Sequence, residues 1–194
     1  LQTAEGTPIG MMLVLAVRLG LRRGELLGLE WRDVNFAERD LKVERAIQRI
    51  KGHPLVAVPL KTKNSKRVIR MGEEVVRALR EHRAAQARHR LASTEWHDMG
   101  LIFCNSIGKP WEPRAVNALF DRCVERAGLP PATRLHDCRH TCATLLLAAG
   151  AELLSVSRML GHAGIGITAD TYAHPSQESA ERLTAVMDTV MAVK

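Results

Sequence analysis

Four short stretches of the sequence hold side chains suited to handling a phosphate ester. His136-Asp137-Cys138-Arg139 sets an imidazole and a guanidinium three residues apart, on one face of a helix. The guanidinium offers a fork of N–H donors that matches phosphate geometry, with the imidazole beside it. Alone the pair is weak evidence, because a helix N-terminus capped by Asp137 with an ordinary surface arginine needs the same residues. Near the start, Gly20-Leu21-Arg22-Arg23-Gly24-Glu25-Leu26 puts Arg22 just after a helix stop. A second helix begins there, so backbone N–H groups gather in the same corner. The plainer reading of Arg22 is a surface charge paired with Glu25. Near the end come Leu160-Gly161-His162 and Thr168-Ala169-Asp170-Thr171-Tyr172-Ala173-His174. Tyr172 is the sole tyrosine and stands in a small, polar run rather than an apolar stripe. A phenol can act as a nucleophile, but with a free pKa near ~10 it needs cationic and basic help at neutral pH.

Two competing arrangements use the same residues. His136 and His140 share one helix face, and Cys138 and Cys142 share another, which suggests a metal site. The two pairs sit too far apart around the axis to converge on one tetrahedral ion. No Glu stands between the histidines in the zinc-protease manner. Leu145 to His162 also has the outline of a helix-turn-helix, joined at Ala149-Gly150-Ala151. Its second helix offers mainly Ser155, Ser157 and Arg158 to base edges, a poor set for reading sequence.

The elements that must position these groups follow from periodicity and punctuation. We expect a helix over 8–19 ended by Gly20, and a short one over about 23–29. Residues 41–71 change character: β-branched residues lie between turn signals at Lys51-Gly52 and Lys63-Asn64-Ser65. Three short antiparallel strands are expected there, with Pro59 at an edge or a strand start. Helices then dominate: 73–92, a segment repeating Val116, Leu119, Phe120, Cys123, Val124 and Ala127 and stopped by Gly128, then 136–149, 153–160 and 176–192. Ile102-Phe103 reads as a short extended piece.

Bulk properties narrow the class. The chain has 194 residues, 46% hydrophobic, enough for one sizeable core. We find no internal repeat or long linker and read 1–194 as a single domain. No stretch has the ~20 uninterrupted apolar residues of a membrane span, and there is no secretory signal pattern. These features point to a cytosolic protein, and the four cysteines are expected to be reduced. The net charge of +7 is uneven: residues 1–100 hold 19 basic and 12 acidic side chains, whereas 101–194 hold nine of each. From Arg45 to Gly72 there are eight basic residues and no acid, a candidate phosphate-contacting surface. That stretch has no aromatics on which single-stranded bases could stack, so a duplex backbone is the expected target.

Together, in this order, Gly20-Leu-Arg22-Arg-Gly-Glu25-Leu, Lys61-Thr-Lys-Asn-Ser-Lys-Arg67, His136-Asp-Cys-Arg139-His-Thr, Leu160-Gly-His162 and Thr168 to His174 resemble the catalytic domain of the tyrosine recombinases, or phage-integrase family. The likeness runs from about residue 8 to residue 175. It implies an α+β, mostly helical fold with a small three-stranded antiparallel sheet. It implies site-specific DNA recombination (integration, excision or resolution) with double-stranded DNA as substrate, by chemistry like that of a type IB topoisomerase. A tyrosine attacks the phosphodiester, forms a 3′-phosphotyrosyl link and frees a 5′-hydroxyl, and a partner strand reverses the step without metal, cofactor or ATP.

By motif match the resemblance gives Tyr172 the role of nucleophile and has Arg22 and Arg139 clamp the non-bridging oxygens. His136 and His162 hydrogen-bond the phosphate, and Lys61 protonates the leaving oxygen; Lys63 and Lys66 of the same turn are alternatives to Lys61. Glu25 would orient Arg22, with His140 and His174 in support. The family's usual N-terminal core-binding domain is absent from this sequence, so we expect a fragment whose DNA binding is weak and salt-sensitive. The family also implies a tetramer on synapsed DNA, room for accessory DNA-bending proteins and a place at the nucleoid. The 176–192 helix would pack on a neighbouring subunit or on its own domain. A non-catalytic DNA-binding protein on this scaffold and a stand-alone relaxing topoisomerase are the alternatives.

Overall fold

A computed structural model of the chain describes residues 1–50, 52–60, 64–162, 164 and 166. The described residues form six α-helices and two small antiparallel sheets; the helices are α1 (Gly10–Leu19), α2 (Arg23–Gly28), α3 (Glu73–Ala92), α4 (Pro113–Arg126), α5 (Asp137–Ala148) and α6 (Leu153–Leu160). The strands are β1 (Val34–Asn35), β2 (Asp40–Val43), β3 (Arg45–Arg49), β4 (Leu55–Pro59) and β5 (Arg67–Arg70).

The expected three-stranded sheet is present, but its order is β1-β2-β5. The strands β3 and β4 form a separate hairpin, paired from Arg45 with Pro59 to Arg49 with Leu55. Reading three strands over 41–71 therefore missed both the second sheet and β1. A two-residue strand such as β1 is too short to show alternation in a sequence. Pro59 closes β4, which among the described residues pairs with β3 alone, so its missing N–H breaks no ladder.

Alternation sets the inner face of the larger sheet. Leu41 and Val43 of β2 are buried, as is Ile69 of β5 opposite Leu41. The core continues through Met12, Leu15 and Leu19 of α1, Leu26 and Leu27 of α2, and Val75 and Leu79 of α3. In α4, Val116, Phe120, Cys123 and Val124 point inward at the expected helical spacing. Ile102 and Phe103 are buried but form no named strand; the flanking Leu101 and Cys104 make isolated bridges to Glu30 and Pro110.

α1 runs against α5 and α3, and α6 lies against α5 and β5. This packing brings the end of α1, the start of α2, the start of α5 and the end of α6 to one corner. Among the described residues, no helix is long and apolar enough to cross a membrane. The expected helix 176–192 lies outside the described residues, as do Lys61, Lys63, Tyr172 and His174.

Candidate active site

Three consecutive carbonyls at the C-terminus of α6 hold the corner together. A helix ends with carbonyls that have no intrahelical donor and carry a partial negative charge. Here they receive arginines from three distant parts of the chain. Arg67 Nε donates to Met159 O (2.6 Å), Arg139 Nη2 to Leu160 O (2.6 Å) and Arg22 Nη2 to Gly161 O (3.4 Å). His162 follows directly and is half-buried.

Arg139 leaves the first turn of α5 and is 3% exposed. Its Nη1 donates to Gly20 O (2.6 Å), so one guanidinium ties the α1–α2 turn to the end of α6. Two left-handed glycines make this closeness feasible. Gly20 (φ 63°) caps α1, and a Cβ there would collide with Leu160 Cδ2. Gly161 (φ 69°) caps α6, and a Cβ there would stand 2.9 Å from both Arg67 Nη1 and Asn64 O.

Arg22 precedes α2, with its side chain 38% exposed. Glu25 binds it twice, accepting from the Arg22 backbone N–H (3.0 Å) and from Nη1 (2.9 Å). This is the contact through which Glu25 would orient Arg22. Glu25 itself is 1% exposed and also faces Arg67, which donates to both its oxygens (2.9 and 3.1 Å). Burial pushes the Glu25 carboxyl up, but the hydrogen bond and charge of Arg67, with those of Arg22, outweigh it and hold the carboxyl below its ordinary value.

The two histidines sit in this field of positive charge. Burial, then the charges of Arg139, Arg22, Arg67 and His140, push the His162 imidazole down to about 4. His136 lies at the surface, partly shielded; that shielding, then His140, Arg139 and Arg22, lower its pKa against the opposing Asp137. Its ring meets the His140 ring edge-on, with centroids 4.9 Å apart. Both imidazoles are therefore neutral at pH 7, able to accept as well as donate a hydrogen bond. Beside His136 a cleft of about 430 Å³ is lined by Arg22, Arg23, Asn117, Asp121, Arg134 and His136 itself.

The structure thus gathers Arg22, His136, Arg139 and His162, four of the six expected site residues. Lys61 and Tyr172 lie outside the described residues. Arg67 was missed by the sequence reading, which took it as one charge in a basic surface run. The signal was there: two positions before buried Ile69, and opposite buried Val43, Arg67 must face inward.

Other arginines of that run are also engaged with acids. Arg45 is half-buried against Asp33 (2.6 and 3.1 Å), while Arg49, paired with Glu112, and Arg70, paired with Asp40 at 3.1 Å, remain exposed. Of the described basic side chains in 45–72, Lys66 is the one that stands exposed with no ion pair to an acidic group.

The phage integrase family matches residues 2–179, and the chain belongs to that family. A tyrosine recombinase XerC-like protein of Caldanaerobacter subterraneus subsp. tengcongensis is 33% identical over 193 residues, 92% of this chain and 49% of the relative. An integrase of Streptomyces ambofaciens is 29% identical over 201 residues, 98% of this chain and 50% of the relative. This chain therefore spans about half the length of these curated relatives. Among solved structures, the Tn1549 transposon integrase in complex with transposon right end DNA superposes with a TM-score of 0.78 at 28% identity, over 95% of this chain and 59% of that one. XerA recombinase shares the fold, with a TM-score of 0.70 at 22% identity, over 96% of this chain and 60% of that one. The fold is that of the tyrosine-recombinase catalytic domain, mostly helical with a small antiparallel sheet.

Proposed function

We propose that this chain is the catalytic domain of a site-specific DNA recombinase that cleaves and rejoins duplex DNA through a 3′-phosphotyrosyl intermediate. The observation that carries the reading is the corner itself: Arg22, Arg139, His136 and His162 converge from three segments up to 140 residues apart. A phosphodiester placed there lies in the field of two permanent cations and two neutral imidazoles.

In this reading the Tyr172 phenolate attacks phosphorus, a P–O bond to Tyr172 forms and the P–O5′ bond breaks. The arginines stabilise the charge that grows on the non-bridging oxygens. His136 and His162 hydrogen-bond the phosphate and assist proton movement, and a lysine, Lys61 by motif, delivers a proton to the leaving 5′ oxygen. Religation by a partner strand's 5′-hydroxyl runs the same steps backward. The link conserves the bond, so the scheme needs no metal, cofactor or ATP. The strand exchange calls for a tetramer on synapsed DNA, self-association through the 176–192 segment, and work at the nucleoid in the cytoplasm. The single-domain reading of 1–194, with a core-binding domain as a separate unit of the whole protein, belongs to the same proposal.

The test separates three outcomes on one plasmid pair. Site-to-site exchange between two copies of a target is the expected result. Relaxation of a supercoiled plasmid of random sequence, without exchange, would instead mark a relaxing topoisomerase. Binding with no strand cleavage would mark a non-catalytic DNA-binding protein.

A further inference from the structure

Arg67 ties together α2, the end of α6 and the turn before β5. Its side chain is only 6% exposed. One guanidinium donates to both Glu25 oxygens (2.9 and 3.1 Å), to Met159 O (2.6 Å) and to Ser65 O (2.9 Å). Glu25 in turn holds Arg22, and Met159 lies three residues before His162. Ser65 belongs to the turn that leads from residues 61–63 into β5. Gly161 is packed so closely on Arg67 and Asn64 that a Cβ would displace them. A surface ion pair needs none of this. A core ion pair would need Glu25 but not the two backbone carbonyls from separate segments.

We propose that Arg67 is a positioning residue that holds Arg22, through Glu25, and the α6 corner bearing His162, through Met159 O, in the relation that cleavage requires. The proposal rests on the recombinase reading above. It acts through other residues and touches no substrate. The planar fork is essential, because a single ammonium cannot serve a carboxylate and two carbonyls in those directions at once.

The experiment compares the full chain with Arg67→Lys, which keeps the charge and removes the fork. Far-ultraviolet circular dichroism confirms the fold, duplex affinity is measured at fixed salt, and single-turnover cleavage is followed on a nicked substrate. Arg67→Lys is expected to bind DNA within a few-fold of the parent but to cleave about 100-fold more slowly, the usual effect of a small misplacement. The decisive readout is a cycle with Arg22→Lys. Because Arg67 also holds the His162 corner, the double variant is expected to cleave more slowly than Arg22→Lys alone but faster than the product of the two single losses. Losses that multiply, or a folded Arg67→Lys that cleaves at the parent rate, overturn the proposal. Should Arg67→Lys fail to fold, Glu25→Gln takes its place with the same expectations, since it keeps the shape but weakens both tethers.

If the parent chain forms no Tyr172-dependent adduct, the recombinase reading fails by itself. Positioning is then decided by nuclear magnetic resonance of the Arg22 Nε–Hε group and the His162 ring. Shifts of both in Arg67→Lys support the proposal, and unchanged signals overturn it.

Discussion

At the scale of single residues, the arginines of the corner differ in what they hold, and the difference is measurable. Arg139 fills two buried carbonyls, so Arg139→Ala leaves Gly20 O and Leu160 O without that donor. A cost of about 2–4 kcal/mol in denaturant unfolding is expected from such orphaned groups. His136 is exposed, so His136→Ala should change stability by less than ~0.5 kcal/mol while cutting cleavage sharply. His162 links charge to pH. Its folded pKa of about 4 lies below its ordinary 6.5, so the unfolded chain binds more protons between those values. Its contribution to stability is full above pH 6.5 and declines as pH falls towards 4. Unfolding curves over that window should be less steeply pH-dependent in His162→Gln than in the parent; equal slopes would refute the assignment. A bound phosphodiester would partly cancel the arginine charges and raise the His162 pKa, so DNA binding in the same window should take up protons. Calorimetry in two buffers of different ionisation enthalpy reads that uptake directly.

At the scale of elements, the corner depends on two helix ends meeting. Gly161→Ala forces a side chain into a left-handed position and against Arg67 and Asn64. We expect a loss of about 1–3 kcal/mol in stability, together with slower cleavage at saturating DNA, because the end of α6 and the turn before β5 must separate. Wild-type cleavage by a folded Gly161→Ala protein would show that this contact is incidental. Helices with strong punctuation were legible in the sequence: Gly20 and Gly161 end α1 and α6 where they were expected to. The strands were less so. The β3–β4 hairpin has its own turn and pairing, and nothing in a run of short β-branched segments tells which strand joins which sheet. The site itself was read as an ordered set of motifs. Arg67 escaped because charge was counted along the chain instead of by strand face. The helix-turn-helix outline of α5 and α6 is real as a pair of helices, but the end of α6 is occupied by arginines of its own chain.

At the scale of the whole molecule, the count of 28 basic residues overstates the charge free to meet DNA. Arg45, Arg67 and Arg139 are turned inward, and Arg49 and Arg70 are matched by acids. The dependence of duplex affinity on salt should therefore be shallower than a count of basic residues suggests, with each lost phosphate contact lowering the log–log slope by about 0.9. Arg67→Lys should leave that slope unchanged. The central claim is that this corner holds a phosphodiester for attack by Tyr172. Its most direct measurement is covalent capture from a pool of nicked duplexes randomised around the nick, followed by peptide mass spectrometry and sequencing of the trapped DNA. The account predicts a denaturant-resistant adduct whose DNA is attached to the peptide containing Tyr172, and no adduct with Tyr172→Phe. An adduct that persists in Tyr172→Phe, or a parent chain that binds duplex DNA yet traps none of it, would contradict the account.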